Sequence, residues 1–192
     1  MKLITYDELI ATPWKNGGGV TRELACFPVD ASMSDFIWRV SIADVSQSGP
    51  FSSFPGIDRV ITLLDGDGMQ LQFADHTRHA LVDKLIPYTF RGEAQVNAHL
   101  IGSPSRDFNL MLRRDAARGT VEVRHASGTI KANQTTLLLF CAAGRWRVSG
   151  TNKQYEDLQS RDAILLEQAL SDTMITSLDA QSALLCVRIT LA

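Results

Sequence analysis

No stretch of this chain carries the apolar spacing of a long amphipathic helix, and this limits it to β-structure. Almost every segment is a short β-branched or alternating run bounded by Gly, Pro, Asp or Ser. Candidate strands fall at 21–27, 35–43, 59–65, 69–73, 79–85, 94–100 and 107–113. The series continues at 119–124, 134–141, 146–149, 163–166, 172–177 and 184–190. Many short strands at this spacing build a sandwich or a barrel. One short helix is expected first, because Thr5 and Glu8 of "TYDELIA" form a capping box and Pro13 stops it after a turn or two.

An internal repeat narrows the choice. "RVITLLDGDGMQLQF" is echoed by "QTTLLLFCAAGRWRVSG", each an apolar strand, a small-residue turn and a second strand. Polar hairpins follow both, and each half closes on an apolar strand ending near a cation, "FNLMLRR" and "ALLCVRI", at an offset of about 75 residues. A turn such as "LLDGDG" with a later apolar–Gly–Glu step resembles half of a cupin, the double-stranded β-helix. The expected fold is therefore all-β, a bicupin with one short N-terminal helix. Residues 1–114 form the first half, with the N-terminal segment and the ligand pocket; residues 115–192 form a smaller second half, packed with it as one compact unit.

With 19 basic and 21 acidic residues and no basic run, neither nucleic acid nor an anionic membrane is an expected partner. Cys26, Cys141 and Cys186 are odd in number, widely spaced and set among apolar residues, which suits reduced core thiols. The N-terminal "MKLITYDELIATPW" has acids where a signal peptide needs an apolar stretch, and no run reaches the ~18 apolar residues of a membrane span. A cytoplasmic location is expected, and a homodimer remains open.

Metal chemistry finds little support. Cupin metal sites use a His-x-His pair, since alternation puts i and i+2 on one face. Here His76, His79, His99 and His125 include no such pair, so no metal or other cofactor is expected. There is no G-x-S-x-G elbow, and "GGGVT" lacks the Gly-Lys-Ser/Thr of a phosphate loop. Polar residues at alternating positions are more informative. In "FIWRVSIA", Phe36, Trp38, Val40 and Ile42 share one face while Arg39 and Ser41 share the other. "DFNLMLRR" sets Phe108, Leu110 and Leu112 against Asp107, Asn109 and Met111, while "TRE" puts Thr21 and Glu23 on one side and "FRGE" offers Glu93. An exposed edge-strand face explains any one of these; together they form an inventory for holding a small polar or anionic molecule. In "SGPFSSFPGIDRV", Phe51 and Phe54 read as plugs, and Asp58-Arg59 as either a structural ion pair or part of a rim over a barrel mouth.

"PWKNGGGVTREL", "FIWRVSIADVSQSGPFSSFPGIDRVITLLDGDGMQL", "YTFRGE" and "DFNLMLRR", in this order and spacing, resemble the HutD/Ves family over nearly the whole chain. The resemblance implies a cupin-like protein from a family without a settled enzymatic activity. HutD members are associated with bacterial histidine utilisation, where binding of a small intermediate or product has been suggested to limit the pathway; Ves members are linked to cold or stress response. Carried over, Trp14 to Glu23, Arg39, Asp58, Arg59, Phe90, Glu93, Asp107 and Asn109 fall in the family's motif positions; with Ser41 and Met111 from the alternating faces, the expected ligand-binding set is Lys15, Asn16, Gly17, Gly18, Gly19, Thr21, Arg22, Glu23, Arg39, Ser41, Asp58, Arg59, Phe90, Glu93, Asp107, Asn109 and Met111. In it the glycines turn the chain at the barrel mouth and expose amides, and Arg39 is the main anion anchor with Arg59 as the alternative. The leading function is binding of a small polar or anionic metabolite. Against it stand a metal-independent isomerase or hydrolase of a formylated or formimino compound, with Glu23, Glu93 or Asp107 as general acid–base, and a purely structural role.

Overall fold

The computed structural model describes residues 1–150 and 155–192. In chain order its strands begin with β1 (Lys2–Ile4), β2 (Ala11–Pro13), β3 (Gly19–Phe27), β4 (Trp38–Val45), β5 (Gly49–Pro50) and β6 (Ile57–Asp65). Next come β7 (Met69–Phe73), β8 (Arg78–Leu81), β9 (Pro87–Arg91), β10 (Val96–Leu100), β11 (Ser105–Arg113) and β12 (Ala117–Arg124). The last are β13 (Gly128–Ile130), β14 (Thr136–Ala143), β15 (Trp146–Ser149), β16 (Tyr155–Leu158), β17 (Ala163–Leu166), β18 (Thr173–Ser177) and β19 (Ala183–Leu191). The protein is all-β, and among the described residues no helix is long and apolar enough to cross a membrane.

Two compact units emerge, the first made of Ile10–Ala117 with Ala192, the second of Met1–Leu9 with Arg118–Leu191. The first unit has a six-stranded sheet, β2-β3-β4-β11-β6-β9, and a four-stranded sheet, β5-β10-β7-β8. Its core draws on both: Ala43, Val45, Ile61 and Leu63 from the larger sheet, Met69, Leu71, Leu81, Val96 and Ala98 from the smaller. The second unit pairs β1-β17-β14-β19-β12 with β13-β18-β15-β16. Leu137, Leu139, Cys141, Trp146, Val148, Ile164, Leu184 and Cys186 fill its core. Each large apolar side chain buried in this way stabilises by about 1.5–3 kcal/mol.

The two units repeat one strand plan. Met69 and Trp146, Arg78 and Tyr155, and Val96 and Thr173 each begin corresponding strands 77 residues apart. The tip of the second unit's polar hairpin, 151–154, lies outside the described residues.

The expected N-terminal helix is not formed. Tyr6–Glu8 make a single 3-10 turn, and Thr5 gives no side-chain cap. The Tyr6 N–H is instead taken by Asp162 Oδ1 at 3.1 Å, and the chain returns to extended geometry at Leu9. It then pairs Ala11–Pro13 with Val20–Arg22, so Pro13 sits on an edge strand that tolerates its missing donor. Strand β9, opened by Pro87, lies where sequence patterning gave no strand.

Candidate functional site

Strand register decides which side chains share the inner face of the first unit's larger sheet. Directly opposed residues in an antiparallel pair point to the same side. One row reads Glu23, Ser41, Asn109, Ile61 and Tyr88 from β3 to β9. The row beside it reads Cys26, Arg39, Met111, Arg59 and Phe90, and on the other side lie Thr21, Ala43, Asp107 and Leu63. Register breaks between Glu23 and Ala25 and between Arg106 and Asp107 insert Leu24 and Leu64 as bulge residues beside both acids. Bulges of this kind re-aim neighbouring side chains.

Arg59, Asn109 and Asp107 form the deepest polar group. Arg59 Nη2 donates to Asn109 Oδ1 at 2.7 Å, and Asn109 Nδ2 donates to Asp107 Oδ1. Arg59 is 8% exposed and Asp107 1%. Aromatic rings surround the guanidinium, whose carbon lies 4.9 Å from the Phe90 centroid, 5.3 Å from Phe51 and 5.9 Å from Phe54. Arg59 Nε and Asp107 Oδ2 have no hydrogen-bond partner among the described residues. Burial pushes the Asp107 carboxyl up to about 7 against the pull of Arg59 and Asn109, with Asp44 adding to the rise. Burial also brings Arg59 down to about 10.

Nearer the surface, Arg39 Nε donates to Glu23 Oε2 at 2.6 Å and Nη1 to Ser41 Oγ at 3.3 Å. Its side chain is 12% exposed, that of Glu23 40%. The charges of Arg39 and Arg59 repel, and both lie in one row of the same sheet face. His79 stacks on Tyr88 at 3.5 Å between centroids, and Tyr88 and Phe73 continue the aromatic wall to Phe90.

Of the residues singled out in the sequence, Thr21, Glu23, Arg39, Ser41, Arg59, Phe90, Asp107, Asn109 and Met111 therefore share this face. Arg22 is on the opposite face, bonded to Asp44 Oδ2 at 2.7 Å, while Arg106 holds Oδ1 of the same carboxylate at 2.5 Å. Asp58 and Arg59 are not an ion pair. Asp58 accepts from Arg114 Nε at 2.8 Å, and Arg114 also grips Glu93 through Nη1 and Nη2 at 3.0 and 2.9 Å. That grip holds the Glu93 carboxyl down to about 2. Lys15, Asn16, Gly17, Gly18 and Gly19 belong to the hairpin between β2 and β3, where Lys15, Asn16 and Gly17 are exposed and Gly18 and Gly19 buried. Two of its amides are already used: Gly17 N–H bonds Trp14 O at 3.0 Å, and Gly18 N–H bonds Asn16 Oδ1 at 3.0 Å.

Sequence reasoning missed Tyr88, His79 and Arg114. Tyr88 stands two residues before Phe90, so alternation through "PYTFRGE" was the available signal. Nothing in the sequence pointed to Arg114, whose partners are remote. Among the described residues no group of three or more His, Cys, Asp or Glu is placed to hold a metal. A groove of about 310 Å³ in the second unit, lined by Glu122, Arg124, His125, Ser127, Thr129 and Ile175, contains none of the polar cluster. Its Glu122, His125, Ser127 and Thr129 are exposed, so the buried chemistry of the first unit outweighs its size.

The sequence profile of the HutD family matches residues 6–186. An uncharacterised 21.2 kDa protein in the hutC 3′ region of Pseudomonas putida is 34% identical over 167 residues, covering 87% of each chain. The protein Ves of Citrobacter koseri is 40% identical over 136 residues, 70% of this chain and 69% of its own. The structure of HutD from Pseudomonas fluorescens SBW25, obtained in a formate condition, is 31% identical with a TM-score of 0.86, covering 100% of this chain and 98% of that one. An oxalate decarboxylase of Lactobacillus farciminis shares only the cupin-like fold, at 7% identity, a TM-score of 0.65, and coverage of 97% of this chain and 85% of its own.

Proposed function

The chain belongs to the HutD family, and on that footing we propose that its first unit binds a small carboxylate-bearing metabolite in the service of histidine utilisation. One observation carries this reading: a buried guanidinium and a buried carboxyl each keep an unused hydrogen-bonding atom on the same inner face. Leaving such atoms unmet costs about 1–3 kcal/mol each, a cost that a ligand can offset.

The second unit supplies the comparison. The bicupin reading of the fold is supported by its matching strand plan, including a bulge at the corresponding place between Cys141 and Ala143. Aligned on that bulge, Arg59, Asn109 and Asp107 correspond to Leu137, Cys186 and Leu184, all buried and apolar in character. The same plan is therefore filled without polar groups in one unit and with them in the other. Stability alone does not call for the polar version. Arg59, being deeper than Arg39 and free at Nε, serves as the anion anchor, while Arg39 and Glu23 form the rim.

One feature favours catalysis: burial pushes the Asp107 carboxyl up to about 7, which suits a general acid–base. Titration calorimetry with formylglutamate, formiminoglutamate, urocanate and formate, with turnover followed alongside, tests both readings. Binding of at least one without turnover is expected, weakened roughly ten- to a hundredfold by Arg59→Lys and less by Arg39→Lys. Binding unaffected by Arg59→Lys would refute the placement, and turnover would favour the enzyme.

A further inference from the structure

Asp107 is bonded unevenly. Oδ1 accepts from Asn109 Nδ2, whereas Oδ2 is buried without a partner among the described residues. Among the described residues the cation wired to it is Arg59, through Asn109. An anion arriving at Arg59 therefore meets a carboxyl on the same face. Two negative charges sharing one guanidinium in a low-dielectric site repel strongly. A proton on Oδ2 removes the repulsion and turns the free acceptor into a donor.

We infer that the site takes up its anion together with a proton: Asp107, protonated at Oδ2, donates to the ligand carboxylate while Arg59 supplies the compensating charge. This rests on the reading of the inner face as an anion site and adds to it the protonation state of the bound complex. The balance is simple: one ligand carboxylate and one proton enter, and no covalent bond changes. Acid–carboxylate hydrogen bonds of this kind are short and strong.

The surroundings are consistent with this. Leu63 of β6 and Ala43 of β4 stand directly opposite Asp107 and bring no charge. The ionisable groups on that side are Arg59 of β6, Arg39 of β4, Glu23 and Cys26 of β3, Tyr88 of β9 and His79 of β8. Glu23 is already paired with Arg39, and Asp44, from the far face, pushes the Asp107 carboxyl further up. With that carboxyl poised at about 7, the empty site holds a proton only part of the time near neutrality, and an added anion shifts it towards the protonated form.

Formylglutamate is the probe, because its carboxylates remain ionised throughout the useful range, whereas the urocanate imidazole titrates within it. Calorimetry at about pH 8 in triethanolamine and in Tris, neither of them an oxyanion that would compete for the site, separates proton uptake from binding heat by the two buffers' different ionisation enthalpies. The expected result is uptake approaching one proton per ligand, with affinity falling roughly tenfold per pH unit above about 7. Asp107→Asn keeps a donor at the Oδ2 position and should bind without proton uptake and with a flat pH profile. Wild-type binding with no buffer dependence and equal affinity at about pH 6 and about pH 8 would overturn the inference and leave the anion site standing. No binding at any pH would overturn the site itself. The wild-type measurement decides the matter even if Asp107→Asn folds poorly.

Discussion

Asp107 makes the folded state pH-sensitive without any ligand. Its folded value of about 7 lies well above the ~3.9 of an unfolded aspartate, so the native state binds the proton more tightly. The stability it contributes is fully present below about pH 4 and is lost as the pH rises through about 7. The wild type should therefore lose stability over that window relative to Asp107→Asn, by on the order of a few kcal/mol. Denaturant midpoints across pH read this directly, and parallel curves for the two proteins would contradict it. Sequence alternation identified Asp107 as inward-facing, but not its unpartnered Oδ2, because that depends on where Asn109 and Arg59 lie. At the glycine run the sequence did not show which glycine the fold needs most. Gly17 has φ +70°, and a Cβ on Gly19 would collide with Asp44 O, whereas a Cβ on Gly18 would meet only Asn16 Oδ1 at 3.3 Å. Alanine should cost most at Gly19, about 1 kcal/mol at Gly17 and least at Gly18, read from the same midpoints. A larger loss at Gly18 than at Gly19 would show that the hairpin holds another geometry.

At the scale of elements, period-2 patterning located most strands but none of the three bulges, since a bulge is a mismatch between two strands and has no signature in one. Nor did it show what holds the Phe51–Ile57 segment over Arg59. Arg114 bonds Ile57 O at 3.3 Å through Nη2, its own amide bonds Gly56 O at 2.9 Å, and its guanidinium ties Asp58 and Glu93. Those partners lie 56 and 21 residues away, beyond any local motif. Phe54 N–H in turn bonds Gly92 O at 2.8 Å, and Phe51 N–H bonds Val96 O at 2.9 Å. Arg114→Gln should speed hydrogen exchange at Phe54 while leaving the Leu71 and Phe108 amides protected; unchanged exchange at Phe54 would remove Arg114 from this role. Because Glu93 is depressed to about 2, its contribution to the latch is present above the ordinary glutamate range and fades as the pH falls towards 2.

Over the whole molecule, the repeated strand plan was legible because both halves keep the same order of strand, small-residue turn and strand. The division of labour between them was not read from the repeat, since Leu137, Cys186 and Leu184 gain meaning only when register sets them against Arg59, Asn109 and Asp107. Nor could sequence order show that Lys2–Ile4 would join the edge of the second unit's sheet beside Ala163–Leu165. The most direct test of the ligand site is a crystal structure of the protein soaked with formylglutamate. A carboxylate is expected within hydrogen-bonding distance of Arg59 Nε and Asp107 Oδ2, with Phe51 or Phe54 displaced from the guanidinium. Ligand bound instead along the Glu122–Ile130 groove or on the Lys15–Gly18 hairpin, with the Arg59 cluster untouched, would contradict it.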